Sequence, residues 1–100
     1  MPTVRLLFHR LAAREYRSVK DWYRERSTEV VQRFVSAVDY AIDRVVANAE
    51  SLPILTRTYR YARVNGFPYV LVVRRVDDGI VMIVAVAHTS RRPGYWRQRK

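Results

Sequence analysis

Thirteen residues, His88-Thr-Ser-Arg-Arg-Pro-Gly-Tyr-Trp-Arg-Gln-Arg-Lys100, concentrate the side chains of this chain that could do chemistry. They hold five positive charges, Tyr95, Trp96 and a histidine, with no acid among them. A solvated tail has no use for two large aromatics, and a core strand does not tolerate Arg91, Arg92, Arg97 and Arg99. The mixture suits a surface that meets something negatively charged and flat or grooved, a nucleic acid or an acidic protein. The plainer reading is a basic terminal segment that packs one aromatic down. Seventeen of the nineteen basic residues are arginine, whose planar fork fits phosphate or carboxylate where lysine is only a point charge.

Other chemistry is poorly provided for. The chain has no cysteine and only two histidines, His9 and His88, so neither a thiolate metal site nor a disulfide framework is available. No metal or cofactor is expected, and no small-molecule ligand. Asp77 and Asp78 adjoin a glycine and read as turn formers rather than a general acid–base pair. There is no phosphate-binding glycine loop and no nucleophile elbow. The charge is uneven: residues 1–50 carry nine basic and seven acidic side chains, whereas residues 51–100 carry ten basic and only Asp77 and Asp78. With 100 residues, 49% of them hydrophobic, the chain is expected to fold as one domain over residues 1–100. It has no signal-peptide pattern and no apolar run near the length of a membrane span. A soluble cytoplasmic protein is the expectation.

The elements that must position these residues follow from periodicity. Val4 to Phe8 reads as a strand. Leu11 to Arg26 reads as a helix, with Leu11, Arg14/Glu15, Val19, Trp22 and Tyr23 on one stripe. Ser27 caps a second helix of roughly 20 residues, whose Val31, Phe34, Val35, Val38, Ile42, Val45 and Val46 recur at three- and four-residue spacing. Ser51-Leu52-Pro53 ends it. Three strand-like runs follow, Arg57–Val64, Tyr69–Val76 and Ile80–His88, separated by the hairpin signals Asn65-Gly66 and Asp77-Asp78-Gly79. The fold class is therefore α+β, with a short N-terminal strand and a two-helix hairpin packed on a small antiparallel meander.

This order, with certain residues, resembles the RelE/ParE family of toxins from bacterial type II toxin–antitoxin modules. Trp22-Tyr23 resembles the family's aromatic pair, and Phe34 with Ala37-Val38-Asp39 its second helix. Phe67-Pro68-Tyr69, Arg75-Val76, Val86-Ala87-His88 and Arg91-Arg92 resemble its sheet and C-terminal exit. The resemblance implies a cognate antitoxin as partner, a growth-inhibiting activity and a role such as plasmid stabilisation. It also implies one of two targets. RelE-like members cut mRNA in the ribosomal A site, and ParE-like members bind DNA gyrase and stall it on broken DNA.

The mRNA endonuclease would be metal-independent, with groups to activate the 2′-hydroxyl, stabilise phosphorane charge and protonate the leaving oxygen. RelE-like members carry an arginine where this chain has Pro68-Tyr69, and a basic cluster where it has Thr89-Ser90. A surrogate site would use His88 as base or acid, Arg63 and Arg92 as charge stabilisers and Tyr95 to stack on a base. A plainer role for His88 is a strand-end imidazole bonded to backbone, and His9, at a strand–helix junction, reads as a capping or packing residue. Phe67-Pro68-Tyr69 and the histidine closing the last strand stand closer to the ParE branch, which implies an inhibitor that is not an enzyme. Its target-binding candidates are Arg60, Arg63, Tyr69, His88, Arg91, Arg92, Tyr95, Trp96 and Arg97. The plainer reading of Trp96 is an indole folded back onto the sheet or helices. A third reading, without toxicity, is a basic module that binds nucleic acid directly.

Overall fold

A computed structural model describes residues 4–100. Strand β1 (Arg5–Phe8) leads into helix α1 (Arg10–Arg24), and helix α2 (Thr28–Asn48) returns alongside it. Each helix starts on a capping side chain. His9 Nδ1 accepts the Leu11 N–H at 3.1 Å, and Ser27 Oγ accepts the Val30 N–H at 3.3 Å, satisfying donors that have no partner inside a helix. His9 is also buried. After a single 3-10 turn come β2 (Ile54–Thr56), β3 (Tyr59–Val64), β4 (Tyr69–Asp77) and β5 (Ile80–His88).

The five strands form one mixed sheet in the order β1-β5-β4-β3-β2. The β3–β4–β5 meander is antiparallel, as its hairpin signals predict. β1 adds to it in parallel, with Arg5 to Phe8 opposite Ile80 to Ile83. β2 is a short edge strand that the periodicity did not reveal, since three residues are too few to show a period. Arg57, at φ 50°, turns the chain between β2 and β3, so β3 begins at Tyr59 rather than Arg57. The Asn65-Gly66 connection spans four residues, because Val64 pairs with Tyr69 and Phe67 must reach back into the core.

Both helices cover one face of the sheet. Phe34 is wholly buried at the centre, and the rings of Tyr16, Tyr23, Phe67 and Tyr69 lie 5.1–5.9 Å from it, mostly tilted or edge-on as ring quadrupoles prefer. Tyr23, Phe67 and Tyr69 thus pack against the core, while Pro68 between the last two is exposed. The inward stripe of α1 is Ala12, Tyr16, Val19 and Tyr23, spaced at four and three residues. Trp22 does not share it. It lies 100° round the helix, 52% exposed, with the Arg26 guanidinium 3.5 Å from its ring centre. On α2 the buried set is Val31, Phe34, Val38, Ala41 and Val45, which places Val35, Ile42 and Val46 on the flanks. Among the described residues no helix is long and apolar enough to cross a membrane.

Candidate functional site

The segment after β5 does not fray. The Thr89 N–H donates to the Pro68 carbonyl and the Arg91 N–H to the His88 carbonyl, both at 3.0 Å. Gly94, at φ +83°, then reverses the chain beneath the sheet, and two further turn bonds, Arg97 N–H to Gly94 O and Arg99 N–H to Trp96 O, hold the reversal. The Trp96 indole is 3% exposed and packs on Val72, Val84, Ala85 and Ala87. Its ring centre lies 4.5 Å from that of Tyr59, whose hydroxyl donates to the Arg97 carbonyl at 3.4 Å. These residues belong to the sheet face opposite the helices, so Trp96 is the side chain that gives that face a core.

Next to this packing lies a polar cluster around Glu15, on the flank of α1. β1 accompanies β5 only as far as Ile83, where the His9 N–H closes the ladder on the Ile83 carbonyl at 2.9 Å. A bulge follows at Val84, where the register with β4 slips by one residue, and β5 continues with its edge uncovered. Glu15 and Arg99 cover it. Glu15 accepts the Val86 N–H at 3.0 Å, and Arg99 donates to the Val84 carbonyl at 3.0 Å. Arg99 also forks onto Glu15 at 2.8 and 2.9 Å, and the Tyr95 hydroxyl donates to the same carboxylate at 2.7 Å. Arg91 stands 3.7 Å from Glu15 and lies over the Tyr95 ring at 3.9 Å.

The titration behaviour of the cluster follows from these contacts. Burial by itself pushes the Glu15 carboxyl up, but the bonds from Arg99, Tyr95 and the Val86 N–H outweigh it and hold the group below its ordinary value. Burial and the bond to Glu15 drive the Tyr95 hydroxyl well above the usual tyrosine range. The bond to Glu15 likewise raises Arg99, against its burial. The cluster is therefore a fixed ion pair with a protonated phenol, not a proton relay working near neutral pH.

The residues singled out from the sequence distribute over this frame as follows. His88 sits opposite Tyr69, its ring 5.1 Å away and edge-on, and its Nδ1 accepts the Ser90 N–H at 3.0 Å. Since Tyr69 packs on Phe34, both lie on the helix-covered face. Arg63 pairs with Val70, which belongs to the Trp96 cluster, so Arg63 projects from the other face, exposed. Arg60 lies on the helix side and donates to the Leu52 carbonyl at 2.7 Å. Arg91, Arg92 and Arg97 are exposed, Tyr95 is half-buried and Trp96 is buried. Thus Tyr95 and Trp96 anchor the segment to its own fold, while the three arginines face outward. Sequence reasoning missed Glu15 and Arg99. The available signal was an acid on the apolar side of α1 in a chain whose C-terminal segment has cations and no acid.

Comparison with known proteins agrees with this architecture. No curated protein sequence matches the chain. A chain from the solved structure of the chromosomal ParDE TA system from P. aeruginosa superposes with a TM-score of 0.73 at 16% identity, covering 88% of this chain and 98% of that one. At that identity the likeness is one of fold. The family model of the ParE toxin of the type II toxin–antitoxin system, parDE, matches residues 6–93, from β1 through the turn that leads to Gly94. The chain belongs to the ParE toxin family of type II toxin–antitoxin systems.

Proposed function

We propose that this toxin arrests growth by binding DNA gyrase, without enzymatic chemistry of its own, and that a cognate antitoxin neutralises it. The observation that supports an inhibitor over an mRNA endonuclease is the separation of the candidate catalysts. His88 lies on the helix-covered face and Arg63 on the other, while the Tyr95 hydroxyl is committed to Glu15 at 2.7 Å. General acid–base catalysis needs its groups within hydrogen-bond reach of one reacting centre, whereas an inhibitor needs only a surface. Arg91, Arg92 and Arg97, exposed around the anchored Tyr95–Trp96 foot, are that surface in this reading. The net charge of +10 favours fast, electrostatically steered association with an acidic antitoxin segment.

The test is pulse incorporation of labelled thymidine and methionine within minutes of inducing the gene alone, paired with a supercoiling assay on purified gyrase. Thymidine falling first, with supercoiling inhibited, is the expected result. Replacing Arg91, Arg92 and Arg97 with Gln should abolish both effects with only a small fall in Tm, since the one ion pair lost, Arg91 with Glu15, is largely exposed on the arginine side. Methionine falling first, with gyrase unaffected, would reject the gyrase reading in favour of the ribosome.

A further inference from the structure

The outer ridge of α1 carries charge that neither the fold nor the proposed surface uses. At 100° per residue, Arg10, Arg14, Arg17, Asp21 and Arg24 fall within an arc of about 80°, centred about 150° round the helix from the buried stripe of Ala12, Tyr16, Val19 and Tyr23. Arg24 and Asp21 neutralise each other at 2.7 Å. Arg10, Arg14 and Arg17 are all exposed, and among the described residues none of the three enters an ion pair or a side-chain hydrogen bond. The acid nearest to them in sequence, Glu15, points to the flank and is fully engaged by Arg99, Tyr95 and the Val86 N–H. Three uncompensated guanidinium groups therefore line about 10 Å of helix axis, at the 1.5 Å rise of an α-helix.

We infer that this ridge binds the phosphate backbone of duplex DNA, without regard to sequence. Like charges held this close repel one another, and a polyanion relieves the repulsion. Duplex DNA presents a phosphate charge about every 1.7 Å of its axis, so a stripe of this length meets several at once. Arginine forks fit phosphate oxygens two bonds at a time. The ridge is convex and of helix width, as the major groove of B-form DNA accommodates; the corresponding groove of A-form RNA is too narrow and deep. An anionic membrane is a poorer occupant. A surface-lying helix needs an apolar face to insert, and the apolar face of α1 is buried in the core. A protein partner would find no aromatic or aliphatic anchor on the stripe. The inference stands apart from the identity of the toxin's target, because it concerns a different face from the C-terminal arginines.

The experiment is fluorescence anisotropy of the purified 100-residue chain with a labelled 30-base-pair duplex of arbitrary sequence, titrated across salt concentrations. No gyrase is present, so failure here leaves the proposed target untouched. Each lost phosphate contact lowers the log–log salt slope by about 0.9. The triple variant Arg10→Gln/Arg14→Gln/Arg17→Gln should therefore lose about 2 to 3 units of slope, and on the order of tenfold or more in affinity near 0.1 M salt. Arg14→Gln alone should lose about one unit, and circular dichroism should match the parent, since all three side chains are exposed. Arg91→Gln/Arg92→Gln should keep most of the slope. An unchanged slope in the triple variant, or a larger loss in the Arg91/Arg92 variant, overturns the assignment of the site. Equal binding of duplex RNA, or binding of anionic vesicles without binding of the duplex, overturns the choice of ligand.

Discussion

Glu15 and Arg99, 84 residues apart in sequence, meet through two parallel hydrogen bonds of 2.8 and 2.9 Å across the uncovered edge of β5. Their side chains are only 15% and 11% exposed, so the pair is partly desolvated and well shaped. Each partner also satisfies a main-chain group of β5 that lacks a neighbouring strand. The contact joins α1, β5 and the C-terminal segment at one point.

Breaking that pair should cost more than an ordinary surface ion pair. Glu15→Gln places an amide donor against the Arg99 fork and leaves a buried charge without its counterion. The expected loss is about 2–4 kcal/mol, read as a fall in Tm of roughly 10–20 °C for a domain of this size. Arg99→Gln should cost a comparable amount, and the double variant should be far from additive. Additive effects in urea denaturation would mean that the two residues act independently.

The same carboxylate gives stability a pH dependence with a defined sign. The folded form holds Glu15 below its ordinary value near 4.5, so its contribution is fully present above that pH. It is lost as pH falls through the folded value. Denaturation midpoints of the parent chain should therefore drop on acidification below about pH 4.5 more steeply than those of Glu15→Gln. Parallel curves would place the acid sensitivity in other carboxylates.

The two tryptophans should report opposite environments. Trp96 is 3% exposed and Trp22 52%, so Trp22→Phe should leave blue-shifted emission resistant to acrylamide, and Trp96→Phe the reverse. Trp96→Ala removes the buried indole with which the C-terminal segment covers the second sheet face and should destabilise by about 3–5 kcal/mol. Loss of toxicity in Trp96→Ala would then reflect a loosened segment, a point to settle by comparing its Tm with that of the triple arginine variant.

Gly94 and Gly66 allow a controlled comparison. Both have positive φ, 83° and 85°, so alanine is strained at each by about 1 kcal/mol. At Gly66 an added Cβ meets open space, whereas at Gly94 it would lie 2.9 Å from the Arg97 Nε. The Arg97 side chain can swing away, so Gly94→Ala should cost only slightly more in Tm than Gly66→Ala, with the Trp96 emission shifted in Gly94→Ala alone. An unshifted emission would show that the reversal does not set the indole's position.

Much of the fold is legible in the residues themselves. The periodicity of α2, the proline after it and the glycine turns between β3, β4 and β5 are local signals, and each has its local consequence here. The candidate site was less legible, because its parts are local in no sense. Nothing near Trp96 says that the sheet face beneath it lacks helices, and nothing near Glu15 says that β1 stops at Phe8 and leaves the Val86 N–H bare. Trp22 misled for a related reason. Its apolar bulk satisfies a helical stripe on paper, yet the stripe that packs is set by Ala12, Tyr16, Val19 and Tyr23, and Arg26 shelters the indole instead.

The strand order has a bearing on how the molecule comes into being. β1 finds its hydrogen-bonding neighbour only in β5, some 75 positions downstream by the Arg5–Ile80 register. Until β5 is in place, the earliest strand has no ladder to join, and β4 presents a bare hydrophobic edge. Pairings of such long sequence separation are slow to close, because the intervening chain must first give up its freedom. Nascent copies of this toxin therefore pass through an interval in which the helices can already pair but no complete sheet exists, and maturation waits on the strand translated last.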